Sequence, residues 1–370
     1  DKDYRSTFYA FYSKRHRSYD QFCHRIHFFD SDPVIENLEN SQDSYMGSMV
    51  LRPTEITPLG RTLIAPEAIR NFAGFVCEAE FRNNIMGLPF PVQTFPHTMQ
   101  DTDVTVCAHA VCWMIARYYS EKYTVYPERL TYDIAEAVRD VSFGRNIPSH
   151  GLTLGQVSEI MASIGFFPEI FVKELYGENS DFFYDILYSY IESGILVVAA
   201  MRKKEHAIAL VGHGKTLSAG NPDTASAANK YLHTRHLTDS LIALDDNQLP
   251  FINLQSSGGS YSIDDIDAFV VPLYEKMYLN AENVLKFYPY LIESPLLSIS
   301  EQFLVARIYM TSSRSYKREI HSYSQIPGDM RKAQLELPMP KFIWIVELST
   351  PVNYDNHLVD YRFIVDSTAN

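Results

Sequence analysis

Cysteine is scarce in this chain and shows no paired spacing. Cys23, Cys77, Cys107 and Cys112 are the four present in 370 residues, a count that excludes a disulfide-stapled scaffold and suits a reducing, cytoplasmic setting. Cys107 and Cys112 lie five apart, about 140° around a helix, and so are not expected to bridge each other. Cations are also short: 32 Lys and Arg stand against 45 Asp and Glu, a formal net charge of -13. That balance argues against a general nucleic-acid surface, which rests on clustered cations. No apolar run approaches the ~18 residues of a membrane span, and the opening DKDYRSTFYA is no secretory signal. There is no internal repeat, low-complexity tract or heptad run. An initiator Met is missing, and the last residues break off after a predicted strand, so the chain is expected to continue beyond these ends.

Hydrophobic residues make up 46% of the sequence, enough for a sizeable core divided into two or three structural units. Residues 1–95 read as a β-rich unit. Its strand candidates are His24–Phe29, Tyr45–Leu51, Arg61–Ile64 after a Pro58-Leu59-Gly60 turn, Phe75–Arg82 and the proline-punctuated stretch Leu88–Thr94. Over 96–274 helices and strands alternate. A helix starts at Cys107, another runs from Pro127 to about Val141, and a Thr153-x-x-Gln156 capping box opens a third that Gly165 closes. Strand Phe166–Val172, helix Ser180–Ser193, strand Ile195–Met201 and a strand entered at His206 follow, then a polar insertion over 214–239 that suits a hairpin or lid. Strand Leu241–Leu244 ends on Asp245-Asp246-Asn247. Residues 275–370 read as an α+β unit, with helices around Ala281–Phe287 and 299–305 and strands Ala306–Met310, Phe342–Leu348 and Tyr361–Val365.

The stretch with most chemical content is Gln100–Tyr119. Cys107 opens a helix that is apolar nearly all round and therefore belongs inside a domain. A thiol in a first helical turn meets unpaired backbone N–H groups and the positive end of the helix dipole, and a neighbouring cation can bring a free thiol from about 8.5 to roughly 3.5–7.5. Taken alone, such a cysteine is often just a small core side chain. Its company gives it a second meaning. His109 lies about 200° around the same helix and points away, whereas His206 stands at the entry of a buried strand, a rigid mount for a general base. Asp245 leaves the next strand first and is the leading candidate to orient His206, ahead of Asp246 and then Asn247. Gln100 precedes Cys107 by a short loop, and its amide could join the Cys107 N–H as an oxyanion hole.

Gln100-x6-Cys107 at a helix start, Gly151-Leu-Thr-Leu before a helix, Ile191-Glu-Ser-Gly194 before an apolar strand, His206 in EHAIALVGHG and Asp245 after LIAL resemble the papain-like cysteine peptidases of the C39-like group. The resemblance covers about residues 100–250. It implies a central helix packed on an antiparallel sheet over 96–274, flanked by the β-rich unit and the α+β unit. It also implies a thiol hydrolase of peptides or isopeptides with Cys107 as nucleophile, His206 as base, Asp245 as orienter and Gln100 as oxyanion donor. Ala108 stands where the family usually has Gly, and Asp246 where Pro commonly follows the aspartate.

Two other readings use the same residues. A transglutaminase-like acyltransferase or glutamine deamidase shares the Cys-His-Asp order, and an inactive papain-like fold would serve as a binding scaffold. No cofactor or metal is implied: Cys23-His24-x-x-His27 lacks a second ligand pair, and His233-x-x-His236 is read as part of a solvated lid. The expected partner is a protein or peptide substrate, without nucleic acid, with the flanking units available for docking.

Overall fold

A computed structural model describes residues 5, 23–53, 58–70, 72–100, 106–139, 151–220, 231–256, 258–294, 303–324 and 326–368. Six strands come first: β1 (His24–Phe29), β2 (Tyr45–Leu51), β3 (Leu59–Ile64), β4 (Phe75–Val76), β5 (Ala79–Ile85) and β6 (Leu88–Thr94). Helices α1 (Cys107–Lys122), α2 (Thr131–Glu136) and α3 (Leu154–Ile164) precede β7 (Phe167–Val172) and α4 (Ser180–Glu192). Then come β8 (Val197–Met201), β9 (His206–His213), β10 (Tyr231–His233), β11 (Ser240–Leu244), β12 (Ile252–Gln255) and β13 (Ala268–Leu273). The remainder is α5 (Ala281–Glu293), β14 (Leu304–Ser312), α6 (Ser313–Ser322), α7 (Gly328–Glu336), β15 (Phe342–Ser349), α8 (Pro351–Asp355) and β16 (Tyr361–Asp366). The class is mixed α+β with several antiparallel sheets.

Packing divides the chain into two units, one of residues 1–172, 196–214 and 240–272, the other of residues 173–195, 215–239 and 273–370. The six early strands, set apart by sequence as 1–95, lie in the first unit together with α1. In that unit β1, β2 and β3 form an antiparallel sheet. Strands β5 and β6 form a hairpin turned by Met86 and Gly87, both at positive φ (51° and 88°), as the right-handed twist of a tight hairpin requires. The larger sheet runs β12-β11-β9-β8-β13-β7, with β4 also paired to β9. Its central strands are near-continuous apolar runs: Ile208, Ala209 and Leu210 of β9 and every residue of β11 and β13 are buried. Such runs mark strands covered on both faces. Helix α1 supplies one cover. It packs on β8, β9 and β5, and Ala110 through Ala116 and Tyr119 are fully buried. Gly212 lets β4 approach, since a Cβ there would stand 1.9 Å from the Phe75 carbonyl oxygen.

In the second unit β10, β14, β15 and β16 form a sheet, β10 parallel to β14 and the other pairs antiparallel. Tyr309, Tyr316, Ile320, Ile343 and Ile345 pack as one core cluster there.

Several expected boundaries are corrected. The turn at Pro58-Leu59-Gly60 gives way to β3, which begins at Leu59. The helix expected from Pro127 to about Val141 is confined to Thr131–Glu136, and Phe75–Arg82 divides because its first part, β4, pairs with β9, extended by the Cys77 N–H bond to the Val211 carbonyl, whereas β5 pairs with β6. The helix expected at 299–305 is replaced from Leu304 onward by β14, whose Leu304, Val305 and Ala306 are buried; its first four positions lie outside the described residues. So do most of the loop 143–151 and the middle of the 214–239 insertion, whose described end forms β10 and a single turn at Thr234–Leu237.

Candidate active site

Cys107 is the first residue of α1, half-buried, and its helix has no side-chain N-cap at Val106. The thiol therefore sits in the first turn, at the positive end of the helix dipole. His206 begins β9, where its backbone pairs with Met201 of β8. It is delivered by a tight turn over Arg202–Lys204 and by Glu205, which holds φ 51° and ψ 40°. That left-handed conformation is costly for a residue with a Cβ. It reverses the chain within one residue of the imidazole.

Asp245 is the first residue beyond β11 and is almost wholly buried. Its Oδ1 lies 3.0 Å from His206 Nε2 and also accepts from the Asn247 N–H at 2.9 Å. Its Oδ2 accepts from Gln248 Nε2 at 3.0 Å, and the same amide nitrogen donates to the Tyr261 hydroxyl at 2.8 Å. The Tyr261 ring leans against the His206 ring with centroids 5.5 Å apart. Nε2 is engaged by Asp245, which leaves Nδ1 as the other ring nitrogen of His206, and Cys107 is among the groups that act on the imidazole.

The electrostatics follow from this wiring. Burial opposes charge on His206, yet hydrogen bonds to Asp245 and Cys107 and the charges of Asp245 and Asp246 outweigh it, raising the imidazole to about 10. Burial likewise opposes the Asp245 carboxylate, and its hydrogen bonds to His206, the Asn247 N–H and Gln248 prevail, holding it below the ordinary value. Asp246 differs. It is fully buried, and burial followed by the Asp245 charge pushes it up to about 7. Of the three successive residues 245–247, Asp245 is thus the one bonded to the imidazole, Asp246 acts on it through its charge, and Asn247 donates its backbone N–H to Asp245.

Gln100 is placed by Arg52, whose Nη2 donates to the carbonyls of Leu59, Met99 and Gln100 at 2.9, 3.0 and 3.2 Å. The Gln100 amide donates to Asn247 Oδ1 at 2.9 Å, so it stands at the aspartate end of the constellation. His97 was not singled out by sequence, and it matters here: fully buried, its Nε2 lies 2.9 Å from the Asp245 carbonyl oxygen. Because a carbonyl only accepts, that nitrogen carries the proton. Gln248 and Tyr261 were missed as well. The Asp-Asp-Asn-Gln run carries an ordinary turn composition, and nothing local marks a histidine in Phe-Pro-His-Thr or a tyrosine after Gly-Gly-Ser as neighbours of Asp245. His109 is buried on its own helix and burial lowers it to about 4, consistent with a neutral core histidine.

His206, Asp245 and Asp246 form the one group among the described residues whose possible ligand atoms lie within 4.8 Å of one another. Both Asp245 oxygens are already committed to hydrogen bonds, which favours a proton-handling array over a coordination shell. Neither Cys23, His24 and His27 nor His233 and His236 gather into such a group among the described residues. His27 Nδ1 instead pairs with the Tyr45 hydroxyl at 2.9 Å.

Comparison with protein-family models, curated proteins and solved structures gives no match to this chain. Among the described residues no helix is long and apolar enough to cross a membrane.

Proposed function

We propose that the chain is a papain-like cysteine peptidase or a closely related amide or isopeptide hydrolase, with Cys107 as nucleophile. The observation that carries this reading is that buried Asp245 holds His206 through Nε2, with Cys107 at a helix start acting on the same imidazole. A histidine held in that way accepts and returns one proton in a fixed orientation.

The reaction starts from a Cys107 thiolate beside protonated His206. Sulfur attacks the carbonyl carbon, forming the C–S bond while the carbonyl π electrons move to oxygen. The Cys107 N–H at the helix start serves that oxyanion, and Gln100 joins it by rotating from Asn247. His206 gives its proton to the amide nitrogen, the C–N bond breaks and the amine departs. His206 then takes a proton from water, whose oxygen attacks the thioester, and C–S cleavage returns the thiolate. The substrate is a protein or peptide, and four free cysteines suit a reducing compartment such as the cytoplasm.

The test is the rate of iodoacetamide alkylation at Cys107 against pH, read peptide by peptide. Cys23, Cys77 and Cys112 are internal references, each held above the usual thiol range first by burial. Fast labelling of Cys107 well below pH 8, slowed at least about tenfold by His206→Ala, is expected. Labelling of Cys107 that rises only near pH ~8.5 and ignores His206 would replace this reading with a non-catalytic scaffold. Where the fast thiol is found, hydrolysis of a peptide and isopeptide library separates hydrolase from acyltransferase, which would instead incorporate a labelled amine.

A further inference from the structure

We propose that the first unit carries a phosphate-binding cavity remote in composition from the cysteine site and built from four arginines. Arg25 of β1, Arg61 of β3, Arg82 of β5 and Arg117 of α1 line one cavity of about 300 Å³, with Glu128 as the lining carboxylate and Asn83 on the wall. Four elements from different parts of the sequence each contribute one guanidinium. In a chain with a net charge of -13, such convergence is unexpected from composition, and like charges brought together repel unless an anion compensates them.

The compensation present is incomplete. Glu128 is shared between Arg61 at 3.1 Å and Arg117 at 3.5 Å. Arg117 also pairs with Glu121 and Arg82 with Glu80, each at 2.7 Å, but neither carboxylate lines the cavity. Among the described residues Arg25 makes no ion pair. Among the described residues the carboxylates paired with these guanidiniums are Glu80, Glu121 and Glu128, of which Glu128 lies on the wall.

The wall also holds a buried donor in need of an acceptor. Arg117 Nε is buried without a well-aligned hydrogen-bond acceptor, although Glu128 stands at ion-pair distance, and buried Asn83 engages the Tyr45 hydroxyl beside it. Arg117 is fixed in this position by stacking over Phe81, its guanidinium carbon 4.9 Å from the ring centre, and Arg61 over Trp113 at 5.6 Å. Rigid, stacked guanidiniums lose little freedom on binding and match the oxygen spacing of phosphate with paired N–H donors. The volume suits a compact ligand bearing two or three phosphates rather than a macromolecule. Phosphate oxygens would meet the exposed Arg25 and Arg82 and the buried Nε of Arg117.

The experiment is calorimetric titration of the full chain with inorganic pyrophosphate and tripolyphosphate at low chloride, with citrate as a carboxylate control. It reads binding directly and is independent of whether Cys107 is catalytic. Arg25→Gln and Arg82→Gln alter exposed side chains, so folding is expected to persist, checked by circular dichroism. Each is expected to weaken phosphate binding about tenfold, with the double variant weaker still and citrate weaker than tripolyphosphate. No binding of either probe at about 10 mM, the weak end of specific association, would overturn the proposal. So would binding that the double variant leaves unchanged, or citrate binding as well as tripolyphosphate.

Discussion

Each of the two units holds a histidine beside a carboxylate and a nucleophile-type side chain, and in only one of the two is the carboxylate bonded to the imidazole. In the first unit His206 has Asp245 on Nε2 and Cys107 as its other partner, and its imidazole is raised to about 10. In the second unit His233 lies 3.5 Å from Ser189 Oγ through Nε2 and 3.8 Å from Asp185 Oδ1 through Nδ1. The residue types are those of a hydrolase triad. The connections are not. His233 Nδ1 accepts the Arg235 backbone N–H at 3.2 Å, and Asp185 is taken by the Arg235 guanidinium at 2.6 Å. Ser189 donates to the Asp185 carbonyl at 2.9 Å and is fully buried. With its carboxylate neutralised by arginine, His233 is left to burial, which lowers it to about 4. What makes a histidine basic is the charge its partner has left to offer, not the partner's identity.

The largest effect that separates the two clusters is expected from their aspartates. Asp245→Asn leaves a hydrogen-bonding side chain without charge and is expected to lower turnover, or Cys107 alkylation at neutral pH, by about 10²–10⁴-fold. Asp185→Asn should leave both within about twofold and cost about 1–2 kcal/mol of stability through the weakened Arg235 pair, measured by urea unfolding. A loss of thiol reactivity in Asp185→Asn comparable to that in Asp245→Asn would erase the distinction.

A smaller effect lies in the pH dependence of stability, where the two histidines act with opposite sign. The folded His206 binds its proton more tightly than an ordinary histidine, so its contribution is complete below about 6.5 and is lost as pH rises toward about 10. The folded His233 binds its proton less tightly, so stability is lost instead as pH falls from about 6.5 toward about 4. His206→Gln is therefore expected to flatten the alkaline side of a Tm-against-pH curve, and His233→Gln the acid side. Matching changes on the same side would show that the two imidazoles share one electrostatic environment.

Local signals made much of the frame legible. Thr153 and Gln156 form the reciprocal cap read from their spacing, Gln156 N–H to Thr153 Oγ1 at 3.2 Å and Thr153 N–H to Gln156 Oε1 at 2.9 Å. Gly165 closes that helix at φ 113°. The apolar runs of α1, β9, β11 and β15 likewise declared burial, because hydrophobic burial is written residue by residue. The sequence could rank Asp245 before Asp246 only by its place at the strand end. It could not show that Gln248 and Tyr261 close around Asp245, or that His97 reaches its carbonyl across 148 positions, since those contacts exist only after the sheet assembles. Helices α6 and α7 were missed because their polar faces outweigh the apolar ones: α6 buries Tyr316 and Ile320 alone, and no residue of α7 is buried.

The smallest difference between the clusters is in the backbone that presents them. His233 sits at φ -70° and ψ 139°, ordinary extended geometry, whereas His206 follows Glu205 at φ 51° and ψ 40°. An L-residue in that left-handed region costs about 1–2 kcal/mol, and glycine removes the cost while adding roughly 0.5–1 kcal/mol of unfolded-state entropy. Glu205→Gly is thus expected to raise Tm by about 1–3 °C with Cys107 reactivity unchanged, and Glu205→Val to lower it by a few degrees. If glycine instead slowed alkylation of Cys107 without lowering Tm, the turn would be holding the imidazole in register at a cost in stability, a constraint that the His233 cluster, having no proton to move, does not carry.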